Sequence, residues 1–166
     1  MLALTSAERN ITGIDFDAEK IRVAECGFLM SKQLTFKTAD IRSFEFSPED
    51  CIILSDVLHY LPPSDQEHIL VKCMSNLKPG GMILIRDADE NRKTGHFRSK
   101  LTERFSTGMK FNKTYDDSHL LHFLSAEFLE LITSQAGFSL DIIGSKTYSS
   151  NTYFLIKKSL QKAQDA

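Results

Sequence analysis

The sequence predicts an α/β fold: a sheet with helices on both faces, ending in an antiparallel hairpin. Three observations carry this. Strand-like and helix-like stretches alternate along the chain, as in folds built on a mostly parallel sheet. Two of the strand-like stretches, Cys51–Leu54 and Met82–Ile85, are apolar throughout, the pattern of strands buried on both faces. Only Gly144–Thr152 separates the last two strands, Leu140–Ile143 and Tyr153–Lys157, and so short a link favours a hairpin.

The elements follow in order. Residues 1–9 read as the end of a helix. Ile11–Asp15 is a short strand. Asp17 is placed to cap a helix over Ala18–Met30, with Ile21, Ala24 and Phe28 on one face. Leu34–Ala39 alternates like a strand. After Pro62-Pro63, the run Ser64-Asp-Gln-Glu67 has capping-box spacing and opens a helix to about Leu77. Its core face is Ile69, Leu70, Cys73, Met74 and Leu77. Lys78-Pro-Gly-Gly81 is a turn before Met82–Ile85. Phe97, Leu101, Phe105 and Met109 recur every four residues, as on an amphipathic helix. Ser125–Ala136 is a further helix with Gly137 just past its end, where a left-handed residue is wanted.

Composition bounds the function. The 166 residues are read as one domain over 1–158 with a polar tail over 159–166. Twenty basic residues against 22 acidic ones leave a net charge of -2, which argues against a general polyanion binder. No apolar run approaches the ~18 residues of a membrane span, and no signal-peptide pattern opens the chain. Cys26, Cys51 and Cys73 are odd in number, far apart and set in apolar stretches. They read as buried thiols of a cytoplasmic protein, with neither a disulfide frame nor a metal site. Charge is uneven: residues 15–67 hold 11 acidic and 5 basic residues, whereas 90–113 hold 2 and 7.

Ligands of such sheets bind at the carboxyl ends of the strands. Asp15, Phe16 and Asp17 follow the first strand. A carboxylate there suits a ribose diol, and an aromatic neighbour suits a flat base; equally, Asp15 can simply end a strand and Asp17 cap a helix. Asp40 and Ile41 follow the next strand, an acceptor for an exocyclic amine beside an apolar cover. Ser55-Asp-Val-Leu-His-Tyr-Leu61 follows the third. His59 lies in an apolar stretch, which suits a core histidine as well as a base. Arg86 to Asp89 follow the fourth.

Together GIDFDAEKIRVAE, TADI, CIILSDVLHYLP, LKPGGMILIRD and the closing hairpin strands resemble, in order and spacing over residues 1–157, the class I S-adenosylmethionine-dependent methyltransferases. The resemblance implies a Rossmann-like sheet, S-adenosylmethionine as cofactor and no metal. It implies that Asp15 holds the ribose hydroxyls and Phe16 flanks the adenine. Asp40 would meet the adenine amino group, Ile41 would cover the ring, and Ser55 would sit near the methionine part.

One departure accompanies the matches. The family's first strand and glycine-rich turn have no counterpart: MLALTSAERN, before Ile11, is similar to the end of the family's first helix. The missing strand is the central one, between Ile11–Asp15 and Cys51–Leu54. Its absence would leave a slot of unpaired backbone groups, costly in an interior. Three outcomes follow: the flanking strands close together, another chain fills the slot as in a homo-oligomer, or the sequence is a fragment, with Met1 an internal methionine. The fragment is the expectation, and with it weak or no cofactor binding by this chain alone.

The resemblance implies methyl transfer to a small-molecule or lipid-like acceptor. Such transfer needs positioning, and for oxygen or nitrogen acceptors sometimes a base; His59 and His122 are the candidate bases, and Asp87 and Asp89 could orient an acceptor hydroxyl or amine. Residues 90–123 occupy the family's substrate-side insert. Their basic, amphipathic character suits an anionic headed acyl chain or a membrane surface; a helix covering the sheet is the plainer alternative. Nucleic acid is disfavoured, because aromatics and basic residues do not interleave in a recognisable module. The rival function is a non-catalytic remnant of the fold acting as an interaction module.

Overall fold

The computed structural model describes residues 6, 8–27, 32–88, 121–144 and 151–158. The expected helix end over 1–9 lies mostly outside them, and the amphipathic stretch 97–109 and the tail lie wholly outside. The chain divides into two compact units, Met1–Glu45 and Phe46–Ala166.

In the first unit, β1 (Ile11–Asp15) pairs in parallel with β2 (Leu34–Thr38), and α1 (Ala18–Glu25) packs against both strands. Asp17 caps α1 as expected, its side chain accepting from the Glu19 N–H at 3.0 Å. Ile21 is the buried residue of the helix. The helix is shorter than its apolar spacing predicts. It closes at Cys26, whose N–H bonds back to Ala24 and Arg22, and Gly27 then departs from helical pairing. Phe28 lies outside the described residues.

In the second unit, β3 (Glu49–Ser55), β4 (Leu77–Ala88), β5 (Phe138–Gly144) and β6 (Asn151–Lys158) form one sheet in the order β3-β4-β6-β5. The β3–β4 pair is parallel; β4–β6 and β6–β5 are antiparallel. Between them in sequence lie a short 3₁₀ turn over Leu58–Tyr60, α2 (Pro63–Ser75) and α3 (Ala126–Gln135). Helix α2 packs on β4 and α3, and α3 packs on β5. The core is the row Ile52, Leu54, Ile83, Ile85, Phe154 and Ile156 from the sheet. Against it lie Ile69, Leu70, Cys73 and Met74 of α2 and Leu129 and Ile132 of α3.

Several expectations are corrected. The strands are not buried on both sides: in β3, Ile52 and Leu54 are buried but Cys51 and Ile53 are exposed, as is Met82 of β4. Successive side chains point to opposite faces, and the described helices of this unit cover the face that holds Ile52. Cys51 and Cys26 are accordingly exposed, leaving Cys73 as the buried thiol. Burial pushes the Cys73 thiol up to about 12. Helix α2 has no side-chain cap. Pro62 takes the cap position and Pro63 the first turn, where a missing N–H costs nothing because that group has no helical partner. Leu77 belongs to β4, not to the helix. The α3 stop matches expectation, with Gly137 at a φ of 76°; Ser125, expected as the first helical residue, is instead the cap, its hydroxyl accepting from the Phe128 N–H at 3.1 Å.

The Lys78–Gly81 turn is an irregularity inside β4. The register jumps from Glu49↔Leu77 to Cys51↔Met82. Gly80 has a φ of 78°, and a Cβ on Gly81 would meet the carbonyl oxygens of Lys78, Glu49 and Asp50 at 3.0, 3.1 and 3.2 Å. Three backbone atoms in a strand pair cannot move aside as a side chain can. Gly81→Ala is expected to cost about 1–3 kcal/mol, read as a lower urea midpoint; an unchanged midpoint would contradict this packing.

Strand β1 has β2 as its sheet partner and β3 has β4, and β1 and β3 are not paired with each other among the described residues.

Candidate functional site

In the first unit, the parallel register Asp15↔Thr38 brings the carboxyl ends of β1 and β2 side by side. The Ala39 N–H donates to the Asp15 carbonyl at 2.9 Å, extending the ladder past both strands. Asp15 and Asp40 therefore emerge from the same end of one small sheet. Their side chains are 34% and 30% exposed, open enough to take a further donor.

Each carboxylate is oriented by its own loop. Asp15 Oδ1 accepts from the Asp17 N–H at 2.8 Å, and Lys20 Nζ stands 3.8 Å from Asp15 Oδ2. Asp40 Oδ1 accepts from the Arg42 N–H at 2.9 Å, and the Arg42 guanidinium donates to both carboxylate oxygens. These bonds, the guanidinium's first, hold the Asp40 carboxyl below its ordinary value. It is an ionised, acceptor-only group at neutral pH. Beside them Phe16 is half-buried and Ile41 is buried.

In the second unit, Ser55 ends β3 and lies across the ladder from Arg86 of β4. The Asp56 N–H donates to the Arg86 carbonyl at 2.9 Å. Arg86 Nη1 is ion-paired with Asp56 Oδ2 and lies 3.4 Å from the Ser55 hydroxyl, which donates to Asp56 Oδ2 at 3.2 Å. Asp56 has a φ of 53°, a left-handed conformation costing roughly 1–2 kcal/mol for a residue with a side chain. The exposed strand ends thus carry a closed set of hydroxyl, carboxylate and guanidinium.

His59 and Asp87 meet in the interior, and the half-buried His122 joins them through its backbone; Asp89 lies outside the described residues. His59 is 5% exposed and Asp87 0%. His59 Nδ1 lies 2.6 Å from Asp87 Oδ1, and the His59 backbone N–H donates to Asp87 Oδ2 at 3.4 Å. The His122 N–H donates to the His59 carbonyl at 2.9 Å. The Gln66 side-chain nitrogen lies 2.7, 3.0 and 3.1 Å from the carbonyl oxygens of His122, Leu58 and Leu61, which share its two hydrogens. The His59 ring lies against Tyr60 and Phe123, with centroids 4.1 and 6.0 Å away. Tyr60 is partly buried near Asp56 and Asp87, and desolvation first, then these charges, pushes its phenol up to about 12. It stays protonated at neutral pH.

The sequence reading thus named His59, Asp87 and His122 without joining them. It missed Gln66 because a glutamine in the first turns of a helix carries no signal of the carbonyls it will meet. The Asp56–Arg86 pair has a signal in hindsight, opposite charges just past two neighbouring strands. Among the described residues no group of His, Cys, Asp and Glu is arranged to hold a metal ion.

A family model described as a methyltransferase domain matches residues 1–81 of the 166. A carboxy-S-adenosyl-L-methionine synthase of Psychrobacter sp. (strain PRwf-1) is 40% identical over 50 residues, which is 30% of this chain and 18% of that protein. The chain spans well under half the length of such curated relatives, 39% in a Shewanella sp. (strain W3-18-1) protein of the same description. Among solved structures, a SAM-dependent methyltransferase of Methanosarcina mazei superposes with a TM-score of 0.66 at 19% identity, covering 96% of this chain and 87% of that one. Human N-acetylserotonin methyltransferase in complex with SAM gives 0.64 at 24%, covering 95% and 43%. At these identities the structural likeness speaks for the fold.

Proposed function

We propose that this chain, which resembles the class I S-adenosylmethionine-dependent methyltransferases in fold and, over residues 1–81, in sequence, takes part in methyl transfer from S-adenosylmethionine to a small-molecule or lipid-like acceptor. The observation that carries the reading is the pair of carboxylates at one end of β1–β2. An adenosine presents a ribose diol and an exocyclic amine, all donors. Asp15 and Asp40 present only acceptors, each oriented by backbone N–H groups and open to solvent. The acceptor set therefore fits the adenosine end of the cofactor, with the half-buried Phe16 offering apolar surface to the ring; Ile41 is buried and supports the loop from below.

The cofactor, when bound, supplies an activated methyl group on a sulfonium. The chain's own residues have simpler tasks. Asp15 receives the ribose hydroxyls and Asp40 the amine. The burial of His59 and Asp87 argues against either meeting an acceptor directly. A small-molecule acceptor accords with the N-acetylserotonin named for the human structural neighbour. The lipid-like reading rests on the basic, amphipathic sequence of 90–113. Among the described residues no helix is long and apolar enough to cross a membrane.

The test is an NMR titration of the full chain with S-adenosylhomocysteine, the demethylated cofactor. Amides of Asp15 to Asp17 and Asp40 to Arg42 are expected to shift. Asp15→Ala is expected to weaken the response about 10–100-fold, the worth of hydrogen bonds to a charged group. No shift at millimolar ligand would refute cofactor binding by this chain and favour the interaction-module reading.

A further inference from the structure

The buried pair His59–Asp87 has no role in the reading above, yet it occupies a particular place. Asp87 stands next to the last residue of β4, and His122 lies shortly before α3. Asp87 is gripped by the ring and the backbone N–H of His59. His122 is gripped by the His59 carbonyl and, through its own carbonyl, by Gln66. The same Gln66 amide holds the carbonyls of Leu58 and Leu61, in the turn that follows Ser55 and Asp56. One histidine and one glutamine thus tie together three things: the turn after β3, the end of β4 and the residues leading into α3.

We propose that His59, with Asp87 and Gln66, is a positioning residue of the acceptor side: it fixes the end of β4 and the residues leading into α3 to the turn that carries the chain away from Ser55 and Asp56. This rests on reading the carboxyl ends of β3 and β4 as the acceptor side. The chemistry is that of an oriented imidazole. An ionised carboxylate only accepts, so Nδ1 is the nitrogen that must carry the proton facing Asp87. Taken out of water, a charge-assisted bond of this kind is strong, and its loss leaves a buried carboxylate. Asp87 spans ring and backbone of one residue, so ring orientation and backbone path are set together. A residue that merely filled space would leave His122 indifferent to which nitrogen is present.

The experiment compares His59→Asn, His59→Gln and His59→Leu in the full chain. Asparagine carries its amide nitrogen near the place of Nδ1, glutamine near that of Nε2. The readout is hydrogen exchange of the His122 amide relative to the Leu129 amide in α3, without cofactor. His59→Leu and His59→Gln are expected to speed His122 exchange ~10-fold or more over that control, and His59→Asn to stay within ~3-fold of wild type, as for a locally opened hydrogen bond. Equal exchange in all three variants, or better protection by the larger Leu or Gln, overturns the proposal. Should a variant fail to fold, the wild-type Nδ1 proton decides. A resonance far downfield of ordinary amides, lost in Asp87→Asn, supports the tether; a ring protonated at Nε2 alone sinks it. None of these readouts needs the cofactor, so a failed titration with S-adenosylhomocysteine leaves the tether standing, and the reverse.

Discussion

Phe154→Ala is expected to remove about 3–5 kcal/mol of stability, the range for truncating a fully buried aromatic. Phe154 is 0% exposed in β6, an inner strand of the four-stranded sheet. It stands across the ladder from Ile85 of β4 on one side and Ile142 of β5 on the other. Hydrogen-bonded strands on both sides keep the backbone from collapsing into the space a phenyl ring leaves, so the loss includes the cavity as well as the transfer of the ring to water. Urea unfolding measures it. Leu155→Ala is the matched control, one residue on and pointing to the opposite, half-exposed face; it is expected to cost less than about 2 kcal/mol, because its side chain is already partly in water. Equal losses at 154 and 155 would mean that the two faces of β6 are equally covered.

A second large effect is expected at Asp87→Ala, about 3–5 kcal/mol, the usual result of breaking a buried pair from one side. The variant leaves the His59 ring and its backbone N–H without their carboxylate in a region that water does not reach. The pair is less valuable than that number suggests. Much of the loss is the penalty on the abandoned partner, so His59→Leu combined with Asp87→Leu is expected to be clearly more stable than the sum of the two single changes. A double-mutant cycle by urea unfolding checks this, and additive losses would deny the coupling. Either single loss is smaller than the whole stability of most domains, roughly 5–15 kcal/mol. The exchange measurements proposed above therefore remain practicable on folded protein.

The legible parts of the sequence are those whose cause is local. Asp17 was read as a cap because a short side chain with an oxygen satisfies an N–H two or three residues on. Gly137 was read as a stop because the next helical position called for a left-handed residue. The hairpin was legible from the length of its link. Errors came where the cause is distant. The helix after Asp17 looked five residues longer because Phe28 continues its apolar spacing, while the chain turns at Cys26. The apolar run Cys51–Leu54 looked buried on both sides because composition does not say which face a neighbouring helix will cover. At the candidate site, Asp15, Phe16, Asp40, Ile41 and Ser55 were found by their place just after strands. Their partners Asp17, Arg42, Asp56 and Arg86 lie near in sequence or one strand away.

By itself the sequence determined the order of strands and helices, the cap of α1, the stop after α3, and the acidic character of the β1 and β2 ends. Each of these follows from side-chain chemistry within a few residues along the chain. Tertiary structure alone decided that β1–β2 and β3-β4-β6-β5 form separate sheets. It alone decided that one face of β3 stays open and that His59, Gln66, Asp87 and His122 converge. Those outcomes depend on contacts between residues far apart along the chain, 63 positions between His59 and His122. A buried polar group takes whatever partner the packed fold brings within hydrogen-bonding reach, and no local pattern names it in advance.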